Sequence, residues 1–208
     1  MEVVGPGVDG FAGELEALKG RGCIVLLVGP GAGTIRCGDL LGDDDRDRTR
    51  LVVDTRHDLE GDPGEDPYVV HAGSSDVRSA SASATPGEAS LPETPGLDVI
   101  AGELVDRIDS LDAGELEPGE LRMCLGDLGS LLSDRSGDPV AFVETVGGRI
   151  RESSGMGHAH LPDTSPLRAT IEPLFDVTVE IRPVPEGRQQ RWLLHEADLD
   201  SGWIAVED

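Results

Sequence analysis

Lysine is almost missing from this chain: Lys19 is the single one, and arginine supplies the rest of the 17 basic residues. Against 41 Asp plus Glu they leave a formal charge of −24 and a pI near 4.3. Such a surface repels duplex nucleic acid unless a local basic patch offsets it, so nucleic acid is not an expected partner. The acids are scattered along the chain instead of gathered in a tail. Together with arginine in place of lysine, that points to a halophilic proteome. In molar salt the Debye length is roughly 3 Å and the repulsion among surface carboxylates is screened. No apolar run approaches the roughly 20 residues of a membrane span, and no early apolar segment follows positive charge, so a soluble, cytoplasmic protein is expected. Cys23, Cys37 and Cys124 form no CxxC pair and are expected to be reduced, small buried hydrophobes. Aromatics are scarce too, at six, and both tryptophans fall near the end of the chain.

What is present reads as a single α/β domain over residues 1–208, long enough for one real core. Met1 to Gly10 is Gly-rich and expected to be loosely ordered, and Phe11 to Lys19 has helical spacing. Cys23 to Val28 is a continuous apolar run suited to a strand covered on both faces. Cys37 to Leu41 reads as a short helix before the acidic run Asp43 to Asp45. Leu51 to Asp54 and Tyr68 to His71 are further strands. From Ala72 to Gly96 the chain is Ser, Ala, Thr, Pro and Gly, a composition that cannot bury enough surface to order itself, so 72–96 is expected to be a mobile loop. Leu97, Ile100, Ala101, Leu104, Val105 and Ile108 then recur at helical spacing. Leu121 to Leu125 is a strand, and Pro139 opens a helix with Phe142, Val146 and Ile150 along one side. Met156 to Leu161 is a polar strand, and Pro166 begins a helix through Leu174. Phe175 to Arg182 alternates apolar and charged residues as a half-exposed strand. Arg191 to His195 and Trp203 to Val206 complete a terminal hairpin. Strands interleaved with helices imply a largely parallel sheet flanked by helices, with an antiparallel end.

The apolar run from Val25 to Val28 leads into Gly29-Pro30-Gly31-Ala32-Gly33-Thr34-Ile35, where a phosphate-binding loop would sit. A working loop reads GxxxxGK[ST]: backbone N–H groups cradle phosphates, the lysine holds the β/γ oxygens and a hydroxyl reaches Mg²⁺. Here Val28 replaces the first glycine, Thr34 the lysine and Ile35 the hydroxyl. The glycines remain and the chemistry is gone.

The order of this strand and loop, then Leu121-Arg122-Met123-Cys124-Leu125-Gly126-Asp127-Leu128-Gly129-Ser130-Leu131-Leu132, Gly148-Arg149-Ile150-Arg151 and Leu174-Phe175-Asp176 resembles the RecA/KaiC-like ATPase core. More narrowly it resembles degenerate RecA-like proteins of halophilic archaea, over roughly Gly20 to Glu207. The resemblance implies a RecA-like, P-loop-type sheet with the Gly loop at the carboxyl edge of its first strand. It also implies a Walker B aspartate at the end of the strand before Leu128. Gly126 takes that position, and Asp127, one residue on, would face the wrong side unless a bulge re-aims it. The acidic pair expected after the second strand is reduced to Asp54. With the phosphate clamp, the metal acid and the base all lost, no catalytic residue is assigned. Gly29, Gly31, Gly33 and Thr34 remain as a vestigial phosphate loop.

Other groups carry little chemistry. His158 and His160 would share one face of a strand, half of a metal site with Asp163 nearby, but no further Cys or His stands at ligand spacing. No metal or cofactor is therefore expected, and the pair reads as part of a polar edge strand. Arg149, Arg151, Arg168 and Arg182 would contact phosphate if gathered at the loop, and otherwise pair with carboxylates. Arg36 is the cation closest to the loop in sequence. His57, His71 and His195 are isolated, and no Ser or Cys has a nucleophile signature around it. Trp192 and Trp203 read as covering the sheet edge. The expected function is that of a non-catalytic pseudo-ATPase, a regulatory or protein-interaction module in the cytoplasm whose partner is a RecA/KaiC-like ATPase or a second copy. The alternatives are a nucleotide-binding protein or slow ATPase using the Gly31 to Thr34 backbone, and a structural subunit docking through the Leu97 to Ile108 face.

Overall fold

A computed structural model describes residues 8–30, 48–54, 69–71, 95–112 and 116–206. Helix α1 (Val8–Arg21) begins inside the segment expected to be loose, and Gly22 ends it. At Gly22 φ is +85°, and a Cβ would stand 2.9 Å from both the Arg151 carbonyl oxygen and Ser154 Cα, so only glycine makes this turn.

β1 (Cys23–Val28) follows, buried along its whole length. β2 (Thr49–Asp54), β3 (Val69–His71), β4 (Leu121–Asp127), β5 (Met156–Leu161), β6 (Val177–Val184), β7 (Gly187–Leu194), β8 (Leu199–Asp200) and β9 (Ile204–Val206) complete one sheet. Its order is β3-β2-β4-β5-β1-β6-β7-β8, with β9 also paired to β7. The first six strands of that row are parallel, whereas β7 runs antiparallel to β6, and β8 and β9 run antiparallel to β7. The mixed α/β architecture with an antiparallel carboxyl end is thus as expected.

Two pairings differ from the sequence reading. β7 starts at Gly187 and forms a long hairpin with β6; Ile204–Val206 does run antiparallel to β7 as expected, but beside Arg188 to Gln190, while Leu193 and Leu194 pair with β8. β5 is no edge strand: it lies between β4 and β1, and its histidines are buried. Polarity of the segment suggests solvent, but hydrogen bonding to two neighbours sets a strand's position, and both imidazoles are buried there.

Among the described residues four helices cover one face. They are α2 (Leu97–Asp112), α3 (Leu128–Ser133), α4 (Pro139–Glu152) and α5 (Arg168–Ile171), the last running into a 3-10 turn over Glu172–Leu174. α4 starts where its sequence says: Asp138 accepts from the Val140 N–H at 2.9 Å and Pro139 occupies the first turn. Ile24, Leu26, Val28, Leu51, Val53 and Met123 pack on this side against Leu104, Ile108, Val146 and Ile150. The α2 stripe is consumed by that core, so it is not a free docking face. On the opposite face α1 sets Leu18 against Cys23, Val25, Leu27, Val177 and Val179, with Trp192 partly buried beside them.

Of the arginines expected either at a phosphate or on carboxylates, Arg149, Arg151 and Arg168 take the second role and Arg182 neither. Arg149 bridges Asp109 and Asp112 of α2, and Arg168 joins Glu172 to Glu180. Arg182 hydrogen-bonds Gln189 and lies 3.9 Å from the centre of the Trp203 ring. Arg151 donates to Asp176 at 3.0 Å and to the Leu174 carbonyl at 2.8 Å. Asp176 in turn accepts the Ile24 N–H at 2.7 Å. Asp176→Ala leaves a half-buried guanidinium and a strand N–H without that acceptor, and should cost about 3 kcal/mol in chemical denaturation. Arg21→Ala, which removes the exposed pair with Glu196, should change stability by less than about 1 kcal/mol.

Candidate functional site

The chain leaves β1 toward β2 on one side of the sheet and leaves β5, the neighbour of β1, toward β6 on the other. The carboxyl ends of β1 and β5 therefore flank a topological switch point, where open α/β sheets bind ligands. Gly29 stands there, its N–H donating to the Leu161 carbonyl at 3.4 Å. A Cβ on Gly29 would come closer than 3.0 Å to the Ile181 carbonyl oxygen of β6. This glycine thus has a packing reason that owes nothing to phosphate. Gly31, Gly33, Thr34 and Arg36 lie outside the described residues, as do the Cys37–Leu41 helix, Asp43 to Asp45, His57, Tyr68 and residues 72–94 of the expected loop.

At the end of β4 the bulge that would re-aim Asp127 is present. Leu125 pairs with Ala159 and Asp127 with His160, so Gly126 is the extra residue. The re-aimed carboxylate turns to the amino end of α3. It accepts the Ser130 N–H at 3.1 Å through one oxygen and the Ser130 hydroxyl at 2.9 Å through the other. Asp127 is thereby a helix cap. Lys19 lies near the opposite edge of the sheet, in the last turn of α1, beside Glu16. Between it and Gly29 runs the length of β1, roughly 17 Å at the rise of a strand.

The second face of the sheet carries a polar cluster that sequence spacing alone did not assemble. Cys124 of β4 pairs in register with His158 of β5, and alternation puts His160 on the same face. Cys124, His158 and His160 are 0, 5 and 2 % exposed. One ligand-capable atom from each lies within 4.8 Å of the others, and Cys124 Sγ is 3.9 Å from His160 Nε2. The imidazole rings meet edge to face at 5.3 Å. Asp163, considered beside the histidines in sequence, is not among the clustered donors. His158 Nε2 is buried with no hydrogen-bond partner among the described residues, an arrangement that ordinarily costs about 1–3 kcal/mol. The missing third donor is 34 residues upstream, and only the pairing of β4 with β5 reveals it.

Burial, and secondarily the charges of His160 and Arg122, push the His158 pKa down to about 3, so the ring is neutral. Cys23 is the free cysteine among the described residues, and burial, then the charge of Asp176, pushes its thiol up to about 11. It behaves as an inert hydrophobe, as expected. Cys124 is disulfide-bonded, which corrects the expectation of reduced thiols throughout. A cleft of about 550 Å³ opens toward the amino ends of the strands, lined by Leu15, Lys19, Arg48, Arg122, Met156 and Trp192 among others. No helix among the described residues is long and apolar enough to cross a membrane.

With this geometry in view, the class is a mixed α/β protein whose central sheet is mostly parallel. Residues 22–181 match a family of unknown function, DUF7504, and the chain belongs to that family. No curated protein matches it.

The neutral His158 sets a pH dependence. Between about pH 3 and pH 6.5 the unfolded chain binds a proton at this position that the folded chain does not. Stability therefore rises with pH across that window and is lost as pH falls. In metal-free protein, wild type should show a slope steeper than His158→Gln by about 1.4 kcal/mol per pH unit between pH 4 and 6, read from urea unfolding.

Proposed function

We propose that the protein is a non-catalytic RecA/KaiC-like pseudo-ATPase that works as a regulatory or protein-interaction module. The observation that carries this reading is the engagement of Asp127. The bulge at Gly126 gives this acid the chance to face a metal, and both of its oxygens instead cap α3. The position of Lys19 adds to it, because the chain's single lysine precedes β1 and is a strand length away from Gly29 at the other end of that strand. Arg149, Arg151 and Arg168 are held by carboxylates, leaving them poor stand-ins for a phosphate clamp. Losing these parts together removes the electrostatic stabilisation on which phosphoryl transfer depends. The proposed setting is the cytoplasm of a halophilic cell, with an active ATPase of the same fold or a second copy as partner. The interaction surface lies away from the α2 stripe, which the core already occupies.

The second reading is nucleotide binding or slow hydrolysis through the backbone of Gly31 to Thr34. One observation favours it: β1, which this segment follows in sequence, ends at a topological switch point. Calorimetric titration of the folded protein with Mg-ATP and Mg-ADP in molar KCl separates the two. The pseudo-ATPase reading expects no heat of binding at millimolar nucleotide. Micromolar binding abolished by Gly33→Asp would replace it with the second.

A further inference from the structure

The buried imidazole pair plays no part in the reading above, yet it is the densest group of metal-capable donors among the described residues. Cys124, His158 and His160 come from two adjacent parallel strands, a rigid support that fixes their spacing. The His158 Nε2 atom lies buried beside the other two donors with no hydrogen bond to satisfy it. We propose that, with Cys124 reduced, Cys124, His158 and His160 form a buried three-coordinate copper(I) site. The proposal stands apart from the nucleotide loop and does not depend on it.

Geometry and charge both favour this ion. A trigonal three-coordinate centre with M–N bonds of about 2.0 Å and an M–S bond of about 2.3 Å spaces its donors about 3.5–3.7 Å apart. Cys124 Sγ and His160 Nε2 already stand 3.9 Å apart, and the whole set lies within 4.8 Å, so rotation of the His158 ring closes the rest. One thiolate and two neutral imidazoles suit copper(I) by softness. The resulting centre carries no net charge. Zinc(II) on the same donors would leave a positive charge in the interior, near the Arg122 guanidinium whose field already acts on His158.

Cys124 is disulfide-bonded in the structure, so the site opens by reduction. An added dithiol supplies two electrons and two protons and is itself oxidised to a disulfide, while the protein S–S bond breaks and two thiols result. Copper(I) then displaces the Cys124 thiol proton to solvent as the Cu–S bond forms. The same reducing conditions keep copper in its monovalent state.

The test is anaerobic titration of the reduced, full-length protein with copper(I) against a coloured copper(I) chelator, in chloride-free molar salt because chloride itself binds the ion. One equivalent per chain is expected to be taken up. Cys124→Ser and His160→Gln should each weaken uptake at least about tenfold, and Cys23→Ser should leave it unchanged. X-ray absorption of the loaded wild type reads the site even if a variant fails to fold. One sulfur and two nitrogen neighbours are expected. A shell of sulfur alone, uptake unaffected by Cys124→Ser, or zinc(II) bound in preference to copper(I) would overturn the proposal.

Discussion

Asp176 is the junction on which the rest of the fold depends. Its carboxylate accepts the Ile24 N–H at the start of β1 and the Arg151 guanidinium at the end of α4. Its own N–H donates to the Ile24 carbonyl at 3.0 Å, and its carbonyl accepts the His195 N–H at 3.0 Å. One residue therefore fixes the parallel entry of β6 beside β1, the docking of α4, and the return of the chain after β7. Arg151 extends the junction to the Leu174 carbonyl. The Gly-Arg-Ile-Arg and Leu-Phe-Asp segments that carried the family resemblance meet here, so what they encode is the architecture of the middle of the sheet.

Around that junction the two faces of the sheet are built differently. One is a continuous apolar layer under α2 to α5, closed tightly enough that a Cβ on Gly147 or Gly157 would come closer than 3.0 Å to Ile24 or Ile150. Jigsaw packing of this kind leaves no room for chemistry. The other face bears Arg122, Cys124, His158 and His160 beside the smaller cluster under α1. Among the described residues the clustered metal-capable donors lie on that side, and at the carboxyl edge Asp127 caps α3.

Much of the fold was legible because its signals were local. The unbroken apolar run of β1, the α2 stripe and Pro139 after Asp138 each specify an element within a few residues. What was not legible depended on pairing. β5 reads as an edge from its histidines, yet its place is set by hydrogen bonds to β4 and β1. The bulge at Gly126 exists only relative to β5. Cys124 meets His158 only once β4 and β5 are in register. Gly29 reads as a phosphate remnant, and the approach of Ile181 that requires it comes from 152 residues further along.

The proposed function makes this sheet a nucleotide-binding architecture that has lost its catalytic groups. Phosphate release from Mg-ATP by the intact protein in molar KCl, compared with Asp127→Asn, tests it most directly. The account predicts release at the background rate for both proteins. Turnover by the wild type that Asp127→Asn abolishes would contradict it, because Asp127 would then be acting on a metal instead of only capping α3.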